Sequence, residues 1–179
     1  YAFNKYNSIR RDPNINMNEM TNPNIQFDKV ESMKGYWTIA LFGVDSRNNS
    51  LGKGNNADVN IICNVNMDSG EIKLVSVFRD SYLNIDDKGS YNKINQAYFL
   101  GGPKQAIEAL NKNLDLEIDD YATFNWKAVI DAINILGGVD IELSKAEFYY
   151  INAFITETVQ ATGVGSVQLT HAGMNHLDG

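Results

Sequence analysis

Four groups of charged and amide side chains punctuate this 179-residue chain: Asp45 with Arg47, Asp58 alone, Arg79 with Asp80, and Lys93 with Asn95. Each stands at the end of a segment that reads as a strand. Carboxylates and guanidinium groups gathered at strand ends suit a metal-assisted phosphate site, because ligands of open α/β sheets collect there. Two aspartates can hold Mg²⁺, a cation that takes oxygen ligands and keeps waters and substrate phosphates in its shell. An arginine forks onto phosphate oxygens with two parallel hydrogen bonds. The same residues fit a plainer reading. An aspartate after a strand is a common turn former or helix cap, and an arginine beside an aspartate is commonly a solvated ion pair.

The elements that would position these groups can be read from hydrophobic periodicity. Residues 36–44 form a continuous apolar run, the pattern of a strand buried on both faces. In residues 59–67, Val59, Ile61, Cys63, Val65 and Met67 alternate with Asn60, Ile62, Asn64 and Asn66, which predicts a strand whose first set forms the apolar face. Asp68-Ser69-Gly70-Glu71 is turn chemistry, so residues 72–78 should return as the second arm of a hairpin. A short strand is expected near 82–85. A helix then opens at Lys93, stops at Gly101-Gly102 and restarts at Pro103, with Ala106, Ile107, Leu110 and Leu114 as its apolar stripe. Residues 120–124 and 139–143 read as strands. Helices with apolar spacing lie at Trp126, Val129, Ile130, Ile133 and Leu136, and at Phe148, Ile151, Ile155 and Val159. A short apolar run at 167–169 precedes His176-Leu177-Asp178-Gly179. Strands and helices therefore alternate, which predicts an α/β fold: a central mixed sheet with helices on both faces. Residues 1–34 are polar, Asn-rich and carry Pro13 and Pro23. They read as a lead-in or small accessory segment with a short helix near 16–20, leaving 35–179 as the main domain.

Composition narrows the classes. With 44% hydrophobic residues the chain can build a full core, and its net charge of −7 lacks the basic field of a nucleic-acid binder. One cysteine, Cys63, excludes an internal disulfide and is expected as a small buried hydrophobe. No run is long enough for a membrane helix.

The charged groups also resemble a known series of motifs. Gly43-Val44-Asp45-Ser46-Arg47 resembles the G-S-D-x-R of the LytR-CpsA-Psr family, and Asp58 falls where that family's R-x-D-T has its aspartate. Ser76-Val77-Phe78-Arg79-Asp80 resembles S-I-P-R-D. Lys93-Ile94-Asn95-Gln96-Ala97-Tyr98 with Gly101-Gly102 resembles K-I-N-x-A-Y…G-G, and residues 131–140 resemble D-A-L-G-G-V-D with two residues inserted. The motifs occur in order over residues 35–179.

The resemblance implies an enzyme that transfers a glycopolymer, such as teichoic acid or capsule, from a polyprenyl pyrophosphate to peptidoglycan with Mg²⁺. It implies an apolar lipid tunnel between sheet and helices, and attachment to the outer face of the cell membrane through an N-terminal helix before Tyr1. By the same resemblance Asp45 and Asp58 would serve the metal, and Arg79 would bind the pyrophosphate with Arg47 as a helper; Lys93 and Asn95 read either as lining of the site or as helix-start structure. Asp58 would alternatively take the acceptor proton.

Three departures from the family pattern stand out. Asn56 occupies the place of an arginine, Phe78 replaces proline, and the family's R-x-R strand and later Arg/Gln pair would come after Gly179. They leave room for a non-catalytic lipid-pyrophosphate binder as the alternative; a transcriptional attenuator is disfavoured by the acidic charge. Asp80 is read as the anchor of the turn that aims Arg79. His171 and His176 are read as surface or capping residues, and Trp37, Phe124 and Trp126 as core.

Overall fold

Residues 15–46, 50–163 and 165–178 are described by a computed structural model of the chain. Its elements, in chain order, are a 3-10 turn Met17–Glu19, α1 (Phe27–Met33), β1 (Tyr36–Val44), β2 (Ala57–Asn66), β3 (Ile72–Ser76), β4 (Tyr82–Asn84) and β5 (Tyr91–Lys93). Then follow α2 (Ile94–Leu114), β6 (Asp120–Phe124), α3 (Trp126–Leu136), β7 (Val139–Leu143), α4 (Lys145–Thr162) and β8 (Gly173–Leu177).

The central sheet has four strands in the order β3-β2-β1-β6. β1 pairs antiparallel with β2 and parallel with β6, so the sheet is mixed, as expected, and helices flank it. The β2–β3 hairpin closes where the turn residues predicted. The Asn66 side chain accepts from the backbone N–H groups of Asp68 and Ser69 at 2.9 and 3.0 Å, and Gly70 takes a left-handed φ of 73°. Two small ribbons, β4–β5 and β7–β8, stand beside the sheet.

α2 breaks at Gly102, whose φ of 68° and ψ of −158° suit only glycine, and restarts at Pro103. Ala97, Tyr98, Ala106, Ile107 and Leu110 along this helix are fully buried against Ala40, Phe42 and Ile62 of the sheet. Phe42 and Tyr98 meet edge to face at 5.2 Å. The Tyr98 hydroxyl donates to the Leu51 carbonyl and shares a hydrogen bond with Thr123, and its burial pushes the phenol up to about 12. Leu114, expected in the same stripe, lies partly exposed at the helix end.

The two sheet faces differ from the sequence expectation. β1 was expected to be buried on both faces; only the side carrying Thr38, Ala40, Phe42 and Val44 is sealed. On β2 the sealed side carries Asn60 and Ile62, and Val59 on the alternating apolar set is exposed while Cys63 is half-buried. Hydrogen bonds offset part of the cost of placing asparagine on this side, although Asn60 Oδ1 is buried without a partner. Asn60 donates to the Ala57 carbonyl at 3.0 Å and Asn64 to Thr38 Oγ1 at 2.9 Å. Trp37, Phe124 and Trp126, expected as core, are 42%, 39% and 59% exposed.

The segment before β1 is stitched to the core. Asn16 caps the 3-10 turn, and Met20 is 1% exposed. Asn22 donates to the Asn111 carbonyl and Asn111 donates to the Met20 carbonyl, at 3.0 and 2.8 Å. Asn111 also accepts from the Ile118 N–H, so one buried side chain ties the lead-in to the α2–β6 connection. In the last third, Ser144 and Glu147 form a reciprocal cap on α4, and Phe148, Ile151, Ile155 and Val159 form its half-buried stripe. The final strand, β8, was not anticipated. Among the described residues no helix is long and apolar enough to cross a membrane.

Candidate functional site

One end of the central sheet collects most of the charged groups. β1 and β6 leave it in parallel and β3 leaves it beside them, while β2 enters it. Near this end Gly43 allows a close approach between strands, because a Cβ there would lie 2.9 Å from Val59 Cβ. The register then slips: Gly43 faces Val59 but Val44 faces Ala57, which leaves Asp58 as the unpaired residue of a bulge. A bulge bends its strand and re-aims a side chain. Here Asp58 Oδ1 lies 2.6 Å from Arg79 Nη1. The approach is close but off the N–H axis, so this buried oxygen has an ion pair and no aligned hydrogen bond. Both side chains remain partly exposed, at 38% and 46%, so the pair adds under about 1 kcal/mol to stability.

Arg79 sits in a short turn after β3, braced on two sides. The Val77 N–H donates to the Asn60 carbonyl at 2.8 Å, and the Ser81 N–H donates to the Phe78 carbonyl at 2.9 Å. At the start of α2 the Asn95 N–H reaches the Arg79 carbonyl at 3.3 Å and the Ile94 N–H the Ser81 carbonyl at 2.9 Å. Lys93 Nζ rests 2.6 Å from Asp80 Oδ1, and that hydrogen bond holds the Asp80 carboxyl below its usual range. Asp80 and Lys93 therefore tie the turn to the β5–α2 junction. The Asn95 side chain is buried, and its Oδ1 lacks a hydrogen-bond partner. Gln96 donates to Asn56 Oδ1 at 3.1 Å, so the residue that departs from the family arginine is held by an amide from α2.

Asp45 follows β1 at the same sheet end. Its Oδ1 accepts a hydrogen bond from the indole N–H of Trp126 at 3.1 Å. Sequence reading placed Trp126 in the core. Its position just after the Asn125 cap, which binds the Ala128 N–H at 2.9 Å, was the signal available for a residue at the mouth of a helix. Arg47 falls outside the described residues. Among the described residues no group of three His, Cys, Asp or Glu side chains converges. The structure thus brings Asp58 and Arg79 into contact, sets Asp45 at the same sheet end, and puts Lys93 and Asn95 at the adjoining junction.

The chain is similar to several known proteins. A polyisoprenyl-teichoic acid–peptidoglycan teichoic acid transferase TagU of Bacillus cereus (strain AH820) is 31% identical over 152 residues, covering 79% of this chain and 46% of the relative. The TagU of Bacillus subtilis (strain 168) is 30% identical over 116 residues, covering 65% of this chain and 37% of that protein. Among solved structures, the LytR-CPS2A-psr family protein YwtF (TagT) with bound octaprenyl pyrophosphate lipid superposes with a TM-score of 0.58 at 25% identity, covering 86% of this chain and 55% of the other. TagV of B. subtilis gives the same TM-score and identity, covering 81% of this chain and 52% of its own. The chain spans less than half the length of these TagU relatives. The LytR_cpsA_psr family model matches residues 4–179, and the chain belongs to that family.

Proposed function

We propose that the protein transfers a glycopolymer of the teichoic acid or capsule type from a polyprenyl pyrophosphate to a hydroxyl of peptidoglycan, as a phosphotransferase at the outer face of the cell membrane. The observation that carries this reading is the Asp58–Arg79 contact at the end of a sheet whose second face is apolar and incompletely covered, with Trp37, Ile72 and Leu74 exposed and the residues between them half-buried. That face is built of cross-strand rows: Trp37, Val65 and Ile72; Ile39, Cys63 and Leu74; Leu41 and Ile61. An isoprenoid tail is a fitting occupant of such a surface, with its pyrophosphate at the charged end. The names of the TagU relatives and the octaprenyl pyrophosphate bound to TagT support the same substrate class.

The donor set fits a magnesium ion. It offers only oxygens, from Asp45 and Asp58, the latter also ion-paired with Arg79, and at the adjoining junction Asn95 Oδ1 is buried without a hydrogen-bond partner. When bound, Mg²⁺ would supply positive charge against the pyrophosphate oxygens. Arg79 would hold the pyrophosphate and stabilise charge building on the leaving phosphate. Arg47 would assist, and Lys93 and Asn95 would line the site. The acceptor hydroxyl attacks the phosphorus bonded to the glycan, the bond to the second phosphate breaks, and polyprenyl phosphate leaves. Alternatively to serving the metal, Asp58 would take the hydroxyl proton.

The test is transfer of a labelled lipid-linked glycan onto peptidoglycan by the full-length protein. Arg79→Ala and Asp58→Asn should each lower the rate by about 100-fold or more, and removal of magnesium should do the same. Variants that kept wild-type rates would discard this site. Lipid binding without turnover in the wild type would favour a carrier role.

A further inference from the structure

Asp45 would be a poor metal ligand if left to itself, because it is exposed and follows the last residue of its strand. The parallel register explains why it is not loose. Gly43 of β1 faces Phe124 of β6, and two residues further on each strand come Asp45 and Trp126. The two chain directions agree, so these positions advance together past the sheet edge. Trp126 is also the first residue of α3, fixed there by the Asn125 cap. Its indole has one polar atom, a donor with no acceptor capacity. That atom is committed to Asp45 Oδ1 at 3.1 Å across 81 residues of sequence. The ring itself stays 59% exposed, so burial does not account for its placement.

We infer that Trp126 is a positioning residue for the magnesium site: its indole N–H holds one oxygen of Asp45 and leaves the other turned to the ion. This rests on the proposed function, since it takes Asp45 as a metal ligand. Groups that orient metal ligands set affinity by limiting how far the ligand can swing, and losing one typically weakens binding by about 10-fold to 100-fold. A neutral donor suits the task. A lysine or arginine at 126 would also hold the carboxylate but would compete with the cation for its charge.

The experiment is calorimetric titration of Mg²⁺ into the full-length protein in the presence of inorganic pyrophosphate, for wild type, Trp126→Phe, Asp45→Asn and the double variant. Thermal midpoints are recorded without metal. Phenylalanine keeps the ring and removes only the donor. The expected result is Mg²⁺ affinity about 10-fold lower in Trp126→Phe, with an unchanged thermal midpoint. Asp45→Asn should lose more, and the double variant no more than Asp45→Asn alone. Transfer assayed at saturating Mg²⁺ should return Trp126→Phe to near the wild-type rate. Unchanged Mg²⁺ affinity in Trp126→Phe beside a weakened Asp45→Asn would overturn the inference and leave the proposed site intact. Wild type that binds no Mg²⁺ with pyrophosphate would overturn the metal reading and the role of Trp126 with it.

Discussion

The two faces of the central sheet are covered to different degrees on β1 and β2. On one, Thr38, Ala40, Phe42, Val44, Asn60 and Ile62 are sealed, largely beneath α2. On the other, Trp37, Val59, Ile72 and Leu74 are all at least two-fifths exposed. The sealed face contains more polar side chains than the open one, yet it is the core. The covering helix sets the burial there; Asn60 donates to the Ala57 carbonyl and Asn64, half-buried, donates to Thr38. The less covered face leaves apolar side chains exposed at Trp37, Val59, Ile72 and Leu74, which suits the lipid-binding role proposed for it.

Substitutions on each face should break the comparison if it is wrong. The largest effect is expected for Phe42→Ala, which empties a fully buried site against Tyr98 and should cost about 3–5 kcal/mol in chemical denaturation. Next comes Asn111→Ala. It removes hydrogen bonds to Met20 and Ile118 and leaves buried backbone groups unpaired, for a loss of about 2–4 kcal/mol. Protease should then cut the segment before β1 faster than in the wild type. Leu74→Ala, 63% exposed in the native fold, should cost under about 1 kcal/mol in stability. On the proposed reading it should nonetheless weaken octaprenyl pyrophosphate binding about fivefold, the worth of roughly 1 kcal/mol of apolar contact. A stability loss equal to that of Phe42→Ala would show that the open face is ordinary core.

The smallest effect concerns His176. Its Nδ1 lies 2.7 Å from Asp140 Oδ1 and its Nε2 lies 2.8 Å from the Gly137 carbonyl. Both neighbours accept, so both bonds exist only for the imidazolium, and the Asp140 hydrogen bond raises its pKa, with the Gly137 carbonyl and the Asp178 charge adding. The stabilisation is therefore full below the ordinary value of 6.5 and fades as pH rises through the raised folded value. Thermal midpoints measured on either side of that window should fall more in wild type than in His176→Ala; equal slopes would remove the clasp.

Much of this was legible from residue order. The apolar run at 36–44, the turn at 68–71 and the glycine–proline break at 102–103 each rest on local chemistry, and each appears where expected. The Asp58–Arg79 meeting was legible only through the resemblance, because a bulge that turns one residue has no signature in periodicity. The face of β2 was misread because alternation gives two faces and does not say which one a distant helix will cover. Trp126 was misread for a related reason: hydrophobicity predicts burial, and the partner that holds it at the surface lies 81 residues away.

That separation bears on how the molecule comes into being. β1, β2 and β3 can pair as neighbours while the chain is still being synthesised. β6 joins β1 only after α2 has been made, and contacts that close so long a loop form late. Asp45 meets Trp126 through that last pairing. A nascent or partly unfolded chain can therefore hold the hairpin and lack the carboxylate clamp, which makes the Asp45–Trp126 contact a report that β6 has joined the sheet.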